Sequence, residues 1–135
     1  MSESLVGENL KTRSIRDTLI FAAEHMLGVL MDEEKVRFDR VLAAEVTRDP
    51  KVGEYFLDNG PRALLHNLVN LLKISQEKGE IQSTDLVSSA EMFVSLVMGR
   101  IDLFLRYGEK IKMTTPQKRE RAKHAVDAWM LIHQK

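Results

Sequence analysis

Four histidines (His25, His66, His124 and His133) and two carboxylates on otherwise apolar stretches, Glu45 and Glu91, are the side chains suited to proton transfer or metal binding. Imidazole and carboxylate groups do such work only when spacing brings them together. No histidine lies in an HExxH arrangement, and no two histidines are spaced i, i+4 with a carboxylate in a metal-binding pattern. The absence of cysteine removes disulfides and thiolate zinc sites. Neither a GxSxG elbow, a phosphate-binding P-loop nor a GxGxxG turn is present. Glu45 and Glu91 read as ion-pair partners for Arg40, Arg48 or Arg100. The expectation is no catalytic residue, no metal ligand and no cofactor, hence no enzyme.

Other polar groups have two readings each. His66, between Leu65 and Leu68, is a hydrogen-bonded residue at the core boundary, or a polar contact inside a mostly apolar ligand cavity. His25 reads as surface. Lys110, Lys112, Lys118, Arg119, Arg121 and Lys123 form a solvated face or a phosphate-binding patch, and no aromatic interleaves them. Met26, Met92, Met98 and Met130 suit an ordinary core or an adaptable cavity.

The elements carrying these residues are all helical by periodicity. The stretch Thr84 to Tyr107 reads as one long helix, apolar on two sides. Leu86, Ala90, Phe93, Val97, Ile101 and Phe104 form one stripe, and Val87, Val94, Met98 and Leu105 another. A helix apolar on two sides needs cover on both, and the second cover is either another subunit or the rest of the same fold. Ahead of it, Ser14 with Asp17 resembles a capping box for a helix through Ile15, Leu19, Ala22, Ala23, Met26, Leu27 and Leu30. Asp32 caps the next helix, which ends near Arg48. Asp49-Pro50 restarts the chain, Asn59-Gly60-Pro61 breaks it, and a further helix runs to Lys78 before Gly79. Ser83 or Thr84 caps the long helix, Gly108 ends it, and Thr115-Pro116 opens the last. Residues 1–13 form a polar lead-in and 14–135 a single domain.

At 135 residues the chain is long enough to bury a core. Twenty basic and 20 acidic residues give a net charge of +0, which argues against a nucleic-acid surface spread over the whole body. Glu91, Arg100 and Asp102 interrupt the longest apolar run, so no membrane span is expected, and a cytoplasmic location follows.

Residues 40 to 61, RVLAAEVTRDPKVGEYFLDNGP, resemble the TetR family of transcriptional regulators at Arg40, Ala44, Glu45, Arg48, Pro50, Phe56, Gly60 and Pro61. The family's aromatic before the arginine is here Asp39, with Phe38 one place earlier. Gln76, Gly79 and Glu80, then Asp85, Ala90, Phe93, Leu96 and Gly99, continue the likeness. It extends over roughly residues 14 to 134 and is a likeness to the C-terminal half alone. The resemblance implies an all-α fold of five to six helices whose first helices surround an effector cavity. Its last two helices are expected to pair with a second copy in a four-helix bundle. It also implies that DNA is reached only through a helix-turn-helix head not present ahead of Ser14.

The expected partners are a small apolar or amphipathic effector and a second copy of the chain. Met26, Leu30, Phe38, His66, Val69 and Phe93 are the expected ligand-binding residues. Val94, Met98, Leu105, Ala125, Trp129 and Ile132 are the expected dimer face. The alternative is a headless helical interaction protein that forms mixed dimers with a full-length regulator.

Overall fold

The structure, a computed structural model, describes residues 13–135. The polar lead-in therefore lies, Arg13 apart, outside the described residues. Helix α1, Ile15–Leu30, begins where the Ser14 hydroxyl accepts the Asp17 amide at 3.1 Å. Ile15, Leu19, Ala22, Ala23, Met26 and Leu27 recur every three or four residues and bury one face. Helix α2, Glu33–Glu45, is capped by Asp32, and α3, Pro50–Asn59, by Asp49 with proline in the first turn.

Gly60-Pro61 separates α3 from α4, Pro61–Glu77, so the stretch 50–78 is two helices. Proline supplies no amide to the preceding turn and disfavours a helical residue before it. Arg62 spans the break, meeting Glu54 at 3.0 Å and Asp58 at 2.7 Å. Gly79, at φ 80°, then turns the chain out of α4.

The expected long helix is divided. Helix α5 covers Leu86–Met98 and α6 covers Ile101–Arg106, with Gly99 at φ 49° between them. Its cap is also neither Ser83 nor Thr84: the Asp85 carboxylate accepts the Ser88 amide at 3.2 Å. Ser83 instead accepts the Asp85 amide and supports the cap from behind. Ala90, Phe93 and Val97 are buried before the break and Ile101 and Leu105 beyond it, while Phe104, expected on the first stripe, is exposed. Helix α7, Thr115–His133, opens with a reciprocal capping box between Thr114 and Gln117.

Helix α7 is the centre of the fold, with α1 and α5 packed along it and α4 against α5. Leu19, Leu27, Leu68, Leu71, Leu72, Phe93, Val97, Val126 and Trp129 are wholly enclosed there. Each such side chain contributes about 1.5–3 kcal/mol of transfer free energy. Helices α2 and α3 have no buried residue; α2 rests on α1 and α6, and α3 on α4. Past α7 the chain pairs back, with Gln134 opposite Ile81 and the Gln82 amide on the His133 carbonyl at 2.8 Å. Among the described residues no helix is long and apolar enough to cross a membrane.

Candidate functional site

Three places gather polar or uncovered apolar groups. The first is an open groove of about 670 Å³ lined by residues of α5, α7 and the segment before α7. Ala125 and Ala128 give it a floor of small side chains. Leu96 and Met113 flank it, and Lys112, Gln117, Glu120, Arg121 and His124 add polar groups. His124 and Glu120 are themselves paired at 3.0 Å. Met92, Leu131 and Ile132, exposed on the same two helices, extend the uncovered apolar surface.

Arg121 has a second role at the edge of this groove. Its Nε donates to the Val97 carbonyl at 2.8 Å, satisfying an acceptor at the end of α5 that has no partner within the helix. A guanidinium beside a helix C-terminus is also favourably placed against the helix dipole. The side chain lies so close to Gly99 that a Cβ there would stand 2.6 Å from Arg121 Nη2.

The second place is small, about 60 Å³, between α1, α2 and α6. Leu30, Val36, Ala43 and Leu105 line it with Asp39, Arg40, Asp102 and Arg106. Arg106 pairs with Asp102 at 2.6 Å, Lys35 holds Asp39 Oδ2 at 2.6 Å, and Arg40 donates to the Leu105 carbonyl. Asp39 Oδ1 is enclosed with no hydrogen-bond partner among the described residues.

The third is a buried chain of polar groups joining α5 to α7. Trp129 Nε1 donates to the Ser89 carbonyl at 2.9 Å, and its ring stacks on His133 at 3.9 Å between centroids. His133 Nδ1 faces the Trp129 carbonyl at 2.9 Å and so must carry a hydrogen. In the neutral ring this leaves Nε2 to accept from the Ser89 hydroxyl at 2.9 Å, and Ser89 in turn meets the Ser83 hydroxyl at 2.6 Å. Ser89 and His133 are buried, so this chain has no access for a substrate and serves as an internal polar joint. Among the described residues no three histidines, aspartates or glutamates are grouped to hold a metal.

The residues expected around a ligand are not brought together in one cavity. Met26 and Phe93 are in the packed core, while Leu30 lines the small cavity and Val69 is half-buried. Phe38, 60% exposed, lines neither the groove nor the small cavity. His66 is on the surface beside Asn70, 3.3 Å away, and is not a core residue.

Of the expected dimer face, Trp129, Ala125 and Leu105 are buried within their own chain. Val94 and Met98 are half-buried, and Ile132 is exposed. Ala125 lines the groove together with Ala128, and Ile132 is exposed on the same two helices as Met92, Leu96 and Leu131. The signal that could have added the further exposed positions is Leu96 on α5 and Leu131 on α7, each next to a more deeply set residue. The Ser89–His133 joint had no spacing signal at all, because its members are 44 residues apart.

Residues 17–133 match the family described as AefR-like transcriptional repressor, C-terminal domain. A TetR-family transcriptional regulator from Mesorhizobium loti MAFF303099 has the same fold, with a TM-score of 0.89 at 19% identity; the alignment covers 98% of this chain and 66% of that one. A TetR transcriptional regulator from Agrobacterium tumefaciens aligns at TM-score 0.78 and 21% identity, over 90% of this chain and 58% of the other. The flavonoid-responsive regulator FrrA aligns at TM-score 0.78 and 23% identity, over 87% and 60%. This chain thus spans between 58% and 66% of the length of these regulators. No curated protein sequence matches it.

Proposed function

Because the chain belongs to the family of AefR-like transcriptional repressor C-terminal domains, a TetR-family regulatory domain, we propose that it pairs with a second copy through α5 and α7 and answers a small effector. The observation that carries the pairing is the uncovered groove between those two helices. Alanines at positions 125 and 128 let a facing helix approach closely, and Leu96, Met113 and Leu131 offer apolar surface around them. A two-fold axis sets one such patch against its own copy, so a single self-complementary face is sufficient. A stable pair needs about 1,200–2,000 Å² of total buried surface.

Sensing follows from the same arrangement. An effector with unequal affinity for two packings of the first helices shifts their populations, and the paired helices carry the shift to the partner. With residues 17–133 taken up by this body, operator DNA is contacted by a helix-turn-helix head outside it. FrrA is by its name flavonoid-responsive, so flavonoids belong in the first panel of effectors to try here.

Sedimentation equilibrium tests the pairing. The chain sediments as a dimer at micromolar concentration, and Leu96→Glu with Ala128→Glu converts it to a folded monomer. A wild-type monomer at tens of micromolar would overturn the reading. Thermal unfolding with the effector panel tests sensing, because a ligand of the folded state raises the melting temperature by mass action.

A further inference from the structure

The α5–α6 junction joins two helices that line separate places. On one side is the groove, with Leu96 of α5 and Arg121 of α7 on its walls. On the other is the small cavity, where α6 contributes Asp102, Leu105 and Arg106. The Val97 carbonyl at the end of α5 can be served by two donors. In the bent chain it accepts from Arg121 Nε at 2.8 Å. In an unbroken helix it would accept from the amide four residues on, that of Ile101. Glycine at position 99 is compatible with both, since it enters positive φ, 49° here, as readily as a helical φ.

The two geometries place α6 differently. Bent, α6 buries Ile101 and Leu105, and Arg40 of α2 donates to the Leu105 carbonyl. Straight, Phe104 would follow Val97 by close to two whole turns and share its stripe, while Leu105 would rotate away from it. We infer that the junction is a two-position switch, that Arg121 is the latch holding it bent, and that a second copy seated in the groove keeps the latch shut. Arg121 is half-buried in the single chain, and the open space beside it is the groove. A facing helix fills that space, and a guanidinium displaced into it would lose water without gaining a partner. Pairing therefore favours the bent form. By linkage, whatever straightens the junction weakens pairing by the same factor. This rests on the reading that the chain pairs through α5 and α7, and names a device that pairing controls.

Gly99→Ala tests it, because alanine favours a helix and avoids positive φ, while Gly99 itself does not line the groove. The measurements are sedimentation equilibrium and backbone NMR on the full chain. In the variant the Cα shifts of residues 99–101 move toward helical values and the Ile101 amide becomes protected from exchange. The dissociation constant of the pair rises about tenfold, within the usual range of coupling between sites. An unchanged dissociation constant overturns the inference, and so do shifts at 99–106 that move to random-coil values. Should that variant fail to fold, Arg121→Ala decides, since it removes the latch and leaves the glycine. Shifts at 99–101 that move toward helical values support the switch, and a turn that stays as in the wild type overturns it. If the wild type is a monomer, the pairing reading falls and the coupling with it. If it is a pair that Gly99→Ala does not loosen, only the switch falls.

Discussion

Replacing Gly99 by alanine tests the reasoning about the α5–α6 break most directly. At φ 49° and ψ −130° the backbone is in a region that side-chain-bearing residues rarely enter, at a cost of about 1–3 kcal/mol. The added methyl also meets Arg121 Nη2, 2.6 Å from the ideal Cβ position. Arg121 must swing away and lose its 2.8 Å bond to the Val97 carbonyl, a partly buried charge-assisted contact worth about 1–2 kcal/mol. The sum is about 2–5 kcal/mol. For a domain of this size each kcal/mol lowers the melting temperature by about 3–5 °C, so the loss reads as about 6–25 °C by calorimetry. Protein concentration is held fixed, since pairing makes the midpoint concentration-dependent. The double variant with Arg121→Ala separates the two causes: the clash and the lost bond vanish from the second step, and the cycle is less than additive. A Gly99→Ala protein within about 0.5 kcal/mol of wild type, or a fully additive cycle, would refute the account of the break.

Ser89→Ala removes the hydroxyl that joins Ser83 to His133, and leaving the imidazole nitrogen unpaired costs about 1–3 kcal/mol in urea unfolding. Trp129→Ala costs about 3–5 kcal/mol of subunit stability because the ring is wholly enclosed in its own chain. Leu131→Ala, at a position 77% exposed, leaves the unfolding of the separated subunit within about 0.5 kcal/mol and weakens only association. The hydrogen bond from Arg16, followed by its charge, holds the Asp127 carboxyl below its usual range. A depressed folded value makes this contribution present at neutral pH and lost as pH falls below about 4, the unfolded value, toward the lower folded one. The pair is about half exposed, so its worth is below about 1 kcal/mol. Melting curves of wild type and Asp127→Asn are therefore slightly separated at pH 7 and converge at acid pH, and a gap that widens at acid pH would contradict the assignment.

Much of the architecture was legible because helix ends are local chemistry. Ser14, Asp32 and Asp49-Pro50 each present a cap next to the amides it satisfies, and Gly60-Pro61, Gly79 and Gly108 each stop a helix through their own backbone preferences. The run from Arg40 to Pro61 likewise carried the family likeness, which the match over residues 17–133 bears out.

Periodicity determines which residues share a stripe but leaves open which stripe is turned inward. For α7 that choice enclosed Trp129 and left Leu131 outside, and for α2 it left Phe38 uncovered. The division of the penultimate helix was equally out of reach. Gly99 alone is compatible with a helix that continues, and what stabilises the turn is a guanidinium brought from 22 residues further along, at Arg121. His66 and His133 show the same limit, one solvated and one sealed beneath Trp129. Their surroundings are made by segments distant in the chain, and a side chain's environment is a property of the packed whole, set when those segments meet.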